Sequence, residues 1–155
     1  MITLGFLGAG NMGSAIMKGI ASGSLDAEVY AYDKDAEKLA AVPAKPCKSE
    51  AELVSACKYV LLAVKPQVLG AVLDAVKPAV TAETVFISIC AGISEKFIRS
   101  RTIPDAKVIL VMPNTPMMLG MGASAQWISG LDEIEMQGHW TVTSVNGGFP
   151  EFASE

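Results

Sequence analysis

The run Gly8-Ala9-Gly10-Asn11-Met12-Gly13 carries the first chemistry that this chain offers. Three glycines spaced G-x-G-x-x-G can bring backbone N–H groups against a phosphate, and each has its own task. The first permits a tight turn, the second lets the backbone approach a pyrophosphate, and the third lets a helix pack closely on a strand. Glycine is common and the pattern has only three fixed positions, so the flanking elements decide its meaning. Ile2 to Leu7 ahead of it reads as a buried strand, and Ser14 to Ala21 behind it places Ile16, Met17 and Ile20 on one helical face. In that order, strand then turn then helix, the unpaired N–H groups of the helix start attract phosphate charge. A glycine-rich turn joining two core elements is the plainer alternative.

A second candidate stands at the end of the next strand. Glu28 to Tyr32 alternates as a strand does, and Asp33 follows it about 20 residues beyond Gly13, where a carboxylate can accept hydrogen bonds from an adenosine ribose. Alone, this favours NAD. Lys34 follows immediately, and a cation there can pair with the 2′-phosphate of NADP, so the cofactor is NADP or NAD. Asp33 can equally open the next helix, Asp35 to Leu39, as an N-terminal acid, and the two roles are compatible.

Other reactive residue types are sparse. Cys47, Cys57 and Cys90 share no C-x-x-C spacing, and their odd number without a secretion signal is expected of reduced thiols. No metal site is expected. His139 is the only histidine, and a surface or core position suits it better than a ligand or a base.

These residues need a scaffold, and 155 residues provide for one domain with a sizeable core. A hydrophobic fraction of 51% with 18% charged residues suits a compact α/β protein. The net charge of −4, with no basic patch, gives no electrostatic reason to expect nucleic acid as a partner. Apolar runs are strand-sized and interrupted by Lys or Pro, so no membrane span is expected and the cytoplasm is the expected location.

Strand and helix then alternate. Ala44 to Cys47 is followed by a helix from Ser49 to Ala56, with Ser49 as cap and Glu52 completing a capping box. Tyr59 to Val64 is an apolar strand, followed by Lys65-Pro66-Gln67 and a helix carrying Val68, Val72, Leu73 and Val76. Thr84 to Ile89 is a strand, Cys90-Ala91-Gly92 a loop, Ser94 or Glu95 to Arg99 a short helix, and Lys107 to Met112 another strand. Strands apolar on both faces and separated by helices predict a Rossmann-type, doubly wound, mainly parallel sheet with helices on both faces. In such sheets ligands bind outside the carboxyl ends of the strands, which singles out the loops at Gly8 to Gly13, Asp33-Lys34, Ala63 to Gln67, Cys90 to Gly92 and Met112 to Pro116.

Four motifs in order then resemble one family. They are Gly5-Phe6-Leu7-Gly8-Ala9-Gly10-Asn11-Met12-Gly13, Ala63-Val64-Lys65-Pro66-Gln67, Ser88-Ile89-Cys90-Ala91-Gly92-Ile93, and Val111-Met112-Pro113-Asn114-Thr115-Pro116. From residue 1 to about Ala125 the chain resembles the N-terminal half of pyrroline-5-carboxylate reductase, an NAD(P)-dependent oxidoreductase of proline biosynthesis. The resemblance implies that Gly8, Ala9, Gly10, Asn11, Met12 and Gly13 hold the pyrophosphate, and that Asp33 and Lys34 sit by the adenosine ribose. It also implies that Ala63, Val64, Lys65 and Pro66 with Ala91 and Gly92 line the nicotinamide side, and that Asn114 and Thr115 lie near the reacting centre. The substrate implied is a cyclic imine. Protonated in solution, it is already an electrophile, so hydride addition needs contact more than a protein acid, which suits a chain with one histidine.

Two departures matter. Leu110 stands where the family often has arginine, and nothing in the chain matches the family's helical second domain, which builds its dimer and helps bind the substrate carboxylate. Residues 126–155 hold both tryptophans and the histidine, and their helical periodicity is poor. Asp132 to Met136 could be a helical turn and Thr141 to Val145 an edge strand. The expectation is a cofactor-binding domain over 1–125 and a foreign tail from a truncated or frameshifted gene, with no turnover by the chain alone. The alternatives are a natural short form, a non-catalytic NAD(P)-binding or interaction module, a decayed product, or a related 3-hydroxyacid or prephenate-type dehydrogenase domain. Uncovered apolar surface would favour a homo-oligomer.

Overall fold

The computed structural model describes residues 2–22, 27–88, 93–104, 106–111, 140–144 and 151–154. Its sheet comprises β1 (Ile2–Leu7), β2 (Ala27–Tyr32), β3 (Lys45–Pro46), β4 (Tyr59–Leu62), β5 (Val85–Ser88), β6 (Lys107–Val111), β7 (Trp140–Ser144) and β8 (Glu151–Ser154). They lie in the order β3-β2-β1-β4-β5-β6-β7-β8. All neighbours run parallel except β7 and β8, which are antiparallel. The chain adds strands outward from β1 to β3, then returns to β4 and adds them the other way. The boundary between β1 and β4 is therefore the topological switch point, where open sheets of this kind leave a crevice.

Among the described residues, five α-helices connect β1 through β6: α1 (Asn11–Ser22), α2 (Ala36–Ala40), α3 (Glu50–Ala56), α4 (Pro66–Val76) and α5 (Glu95–Arg101). Successive side chains of a strand point to opposite faces, and both faces here are apolar. Leu4 and Phe6 of β1, Tyr59 and Leu61 of β4, and Ile87 of β5 pack with Ile16, Met17 and Ile20 of α1 on one face. Leu7, Val60, Leu62 and Phe86 pack with Leu53 of α3, Leu69 and Leu73 of α4, and Ile98 of α5 on the other. Each such fully buried side chain contributes about 1.5–3 kcal/mol of transfer free energy, which makes the two apolar layers the main support of the fold.

Local signals behave as the sequence suggests, with a few shifts. Ser49 caps α3, accepting the Glu52 N–H at 3.1 Å, while the Glu52 carboxylate accepts the Lys48 N–H at 2.9 Å in place of the Ser49 N–H that a capping box would use. Ser94 caps α5 through the Phe97 N–H. Pro66 begins α4 where its missing N–H costs nothing, and Lys65 precedes it without a side-chain cap bond. β3 is only Lys45–Pro46, an edge blunted by its proline and its charge.

Two expectations change. The helix after the glycine run starts at Asn11, so Asn11, Met12 and Gly13 belong to its first turn and not to the loop; the Ser14 N–H already reaches Gly10 O at 2.8 Å. The segment expected as an edge strand, Thr141 to Val145, corresponds to β7, which is interior: Leu110 pairs with Thr141 on one side, and Thr141 pairs with Ala153 of β8 on the other. The readings at Gly122 to Ala125, at Asp132 to Met136 and at His139 lie outside the described residues.

Candidate functional site

Where β1 ends, the chain turns sharply at Gly8, whose φ is +110°, a backbone region that residues with a side chain rarely adopt. A Cβ at Gly8 would also stand 2.6 Å from Ala63 O, so the exits of β1 and β4 touch backbone to backbone. Their hydrogen bonds fix this approach: the Ala63 N–H donates to Leu7 O and the Gly8 N–H to Tyr32 O, each at 2.9 Å. A Cβ at Gly13 would meet Gly8 O at 2.8 Å, which shows the first turn of α1 seated directly on the glycine turn. Two of the three motif glycines are thus required by the protein's own packing.

Gly10 differs. A Cβ built there meets no atom within 4 Å, and its φ lies outside the left-handed region. Among the described residues nothing around Gly10 requires a glycine, which leaves room for a ligand's close approach as the physical reason for one. The amide groups of Asn11, Met12 and Gly13 precede the first intrahelical bond of α1, the one from Ser14, and so lack an intrahelical acceptor beside this space. No acidic side chain occupies the first turn of α1. An anion placed there would meet donors and the positive end of the helix dipole.

The space opens into a cleft of about 250 Å³ at the carboxyl ends of β1, β2 and β4. Of the residues that the sequence singles out, Gly8, Gly10, Asp33, Lys34, Ala63, Val64 and Lys65 line it. Ala9 and Gly13 lie buried behind it, and Pro66 stands at the start of α4. Ala91, Gly92, Asn114 and Thr115 lie outside the described residues. Sequence reading missed Tyr32, Lys38, Glu50, Val68 and Val72, which also line the cleft. Lys38 had a faint signal, one helical turn after Lys34; Glu50, at the start of α3, had none. Val68 is 45% exposed and with Val64 and Val72 gives the cleft an apolar wall.

Asp33 does not cap a helix. Asp35 is the N-cap of α2, accepting the N–H groups of Glu37 and Lys38. Asp33 lies two residues earlier and spends its carboxylate on the backbone: Oδ2 accepts the Ala9 N–H and Oδ1 the Asp35 N–H, both at 2.8 Å. Of the residues lining the cleft, Asp33 and Glu50 are acidic and Lys34, Lys38 and Lys65 basic. None of the three lysines forms an ion pair with a described residue.

The thiols lie apart from this chemistry. Cys47 and Cys57 are buried and unbridged, and burial pushes both thiols up, that of Cys57 to about 12. A thiol so far from ionisation is a poor nucleophile at neutral pH. Cys90 lies outside the described residues.

A parallel sheet with a glycine turn at its switch point, a helix start free of acids and a cleft rich in cations together define a Rossmann-type fold. Residues 3–92 match the family described as NADP oxidoreductase, coenzyme F420-dependent, and the chain belongs to it. The chain is 39% identical over 125 residues to pyrroline-5-carboxylate reductase 3 of Bos taurus, covering 77% of this chain and 41% of that protein. It is 36% identical over 126 residues to pyrroline-5-carboxylate reductase of Pseudomonas aeruginosa, covering 78% and 46%. The crystal structure of Plasmodium falciparum pyrroline carboxylate reductase with NADP bound superposes with a TM-score of 0.68 at 33% identity, over 77% of this chain and 45% of that one. The resemblance read from the four motifs therefore holds for the N-terminal part of these reductases, and the chain spans less than half the length of each.

Proposed function

We propose that the cleft binds a nicotinamide dinucleotide, NADP or NAD, and that the chain is the cofactor-binding unit of an oxidoreductase of the pyrroline-5-carboxylate reductase type. The observation that carries this reading is Gly10: the turn and the helix start need glycine at Gly8 and Gly13, while the space at Gly10 is left for a ligand. In this reading the amides of Asn11, Met12 and Gly13 hold the pyrophosphate. Asp33 and Lys34 stand at the adenosine end, and Ala63, Val64, Lys65 and Pro66 continue toward the nicotinamide with Ala91 and Gly92. Asn114 and Thr115 are assigned to the reacting centre by family resemblance. We assign the cofactor unit to residues 1–125 and an atypical tail to 126–155, a division that matches covering 77% and 78% of the chain support, with β7 and β8 of that tail added to the sheet.

The dinucleotide, when bound, supplies the hydride. Delivered to the imine carbon of protonated 1-pyrroline-5-carboxylate, that hydride would give L-proline and leave the dinucleotide oxidised. The chain's own task is to fix the position of one reactant, which is a large share of catalysis when the electrophile is already activated. Calorimetric titration with NADPH and NADH, followed by a turnover assay with pyrroline-5-carboxylate on the same sample, tests both levels. Binding with turnover establishes a reductase, binding without turnover a cofactor module, and no binding of either dinucleotide overturns the reading.

A further inference from the structure

The end of β2 is where an acidic side chain reads a ribose in this kind of fold, yet the Asp33 carboxylate is already engaged by the protein. Its two oxygens each accept a backbone N–H at 2.8 Å, one from Ala9 in the glycine turn and one from Asp35 at the entry to α2. Ala9 is buried, and a buried N–H needs an acceptor inside the protein. Asp33 thereby ties the turn after β1 to the turn after β2, 24 residues away in the chain.

Lys34 and Lys38 are in the opposite condition. Both line the cleft, both are exposed, and neither pairs with an acid among the described residues. A ribose with two free hydroxyls calls for acceptors, whereas a ribose 2′-phosphate brings close to two negative charges and calls for cations. At this end of the cleft one carboxylate is committed to two amides, and two ammonium groups are uncommitted.

We infer that Asp33 is a positioning residue that holds the glycine turn, and that Lys34 and Lys38 decide the choice of dinucleotide in favour of the one bearing a 2′-phosphate. This rests on the reading of the cleft as a dinucleotide site. The Asp33 charge and Glu50, the other carboxylate lining the cleft, oppose the phosphate, so the preference depends on Lys34 and Lys38 outweighing them.

The test is titration of the full chain with NADPH and with NADH, for the wild type, Asp33→Ala, Asp33→Asn and the double variant Lys34→Ala/Lys38→Ala. Asp33→Ala should weaken both dinucleotides by the same factor, about tenfold or more. Asp33→Asn should recover part of that loss, because its carboxamide oxygen can still accept the Ala9 N–H. The double lysine variant should lose about tenfold for NADPH with less than about threefold change for NADH. A loss in Asp33→Ala confined to NADH, or a lysine variant with an unchanged NADPH to NADH ratio, overturns the inference. Hydrogen exchange at the Ala9 amide, measured without ligand, reads the tie directly: exchange should be faster in Asp33→Ala, and an unchanged rate removes the positioning role. If the wild type binds neither dinucleotide, the reading of the cleft fails and the selectivity goes with it, while exchange at Ala9 still decides whether Asp33 holds the turn.

Discussion

Charged side chains are handled differently at the switch point and at the outer β2–β3 edge. At that edge Lys45 donates to Glu28 at 2.7 Å, the Tyr30 hydroxyl donates to the same carboxylate, and the Lys45 ammonium lies 5.5 Å from the Tyr30 ring centre. The group is self-satisfied. The hydrogen bond from Lys45, reinforced by that from Tyr30, holds the Glu28 carboxyl below its usual range, and Glu28 in turn raises both Lys45 and Tyr30. In the cleft, three lysines have no acid paired to them among the described residues. The first arrangement closes a surface; the second leaves charge for something that arrives from outside.

The sharpest test of this contrast separates glycines the fold needs from the one it does not. Gly8→Ala meets both a forbidden φ and the Ala63 carbonyl, so it should cost more than the ~1–3 kcal/mol of backbone strain alone. Urea denaturation should show that loss, and an unchanged midpoint would mean that the turn can relax. Gly10→Val should do the reverse. Dinucleotide affinity should fall by at least about a hundredfold, because the side chain fills the approach that the pyrophosphate needs, while stability changes by no more than about 0.5 kcal/mol.

A third test uses a group buried beneath the surface. The buried Cys57 thiol is pushed up to about 12 from an ordinary 9.0, so the folded state keeps it neutral where the unfolded chain ionises it. That stabilisation is fully present below about pH 9 and is lost as pH rises toward about 12. Unfolding free energy should fall by about 2 kcal/mol between about pH 8 and pH 11 beyond the fall seen in Cys57→Ala; parallel curves for the two proteins would refute the assignment.

The smallest effects fall on the charges themselves. Lys45→Ala breaks an exposed, solvent-screened pair, so it should leave the urea midpoint nearly unchanged and dinucleotide affinity untouched. Lys65→Ala should leave stability within about 0.5 kcal/mol and weaken dinucleotide binding severalfold, an effect that shrinks as salt is added. Equal effects of the two substitutions on binding would erase the distinction between the two regions.

Much of the scaffold was legible because its signals are local. The apolar runs at Ile2–Leu7 and Tyr59–Leu62, the cap at Ser49 and the proline at the start of α4 each report on a few adjacent residues. Element ends were less legible, since the apolar run from Tyr59 to Val64 continues past Leu62, where β4 ends. Within the tail, the edge strand expected at Thr141 to Val145 is interior, because strand order depends on which segments finally pair, and β8 of the same tail takes the edge beyond β7.

The sequence by itself determined the class of sheet, the placement of the glycine turn after β1 and the acid at the end of β2, because periodicity and motif spacing are properties of the chain. Only the tertiary structure decided what those residues do to one another. It joined Asp33 to Ala9, brought Lys38 and Glu50 into one cleft with Val68, and showed Gly10 facing open space while Gly8 and Gly13 are enclosed. The physical reason is that hydrogen-bond partners and cleft walls come from strands that meet through crossovers, and no local pattern records which side chains those crossovers bring together.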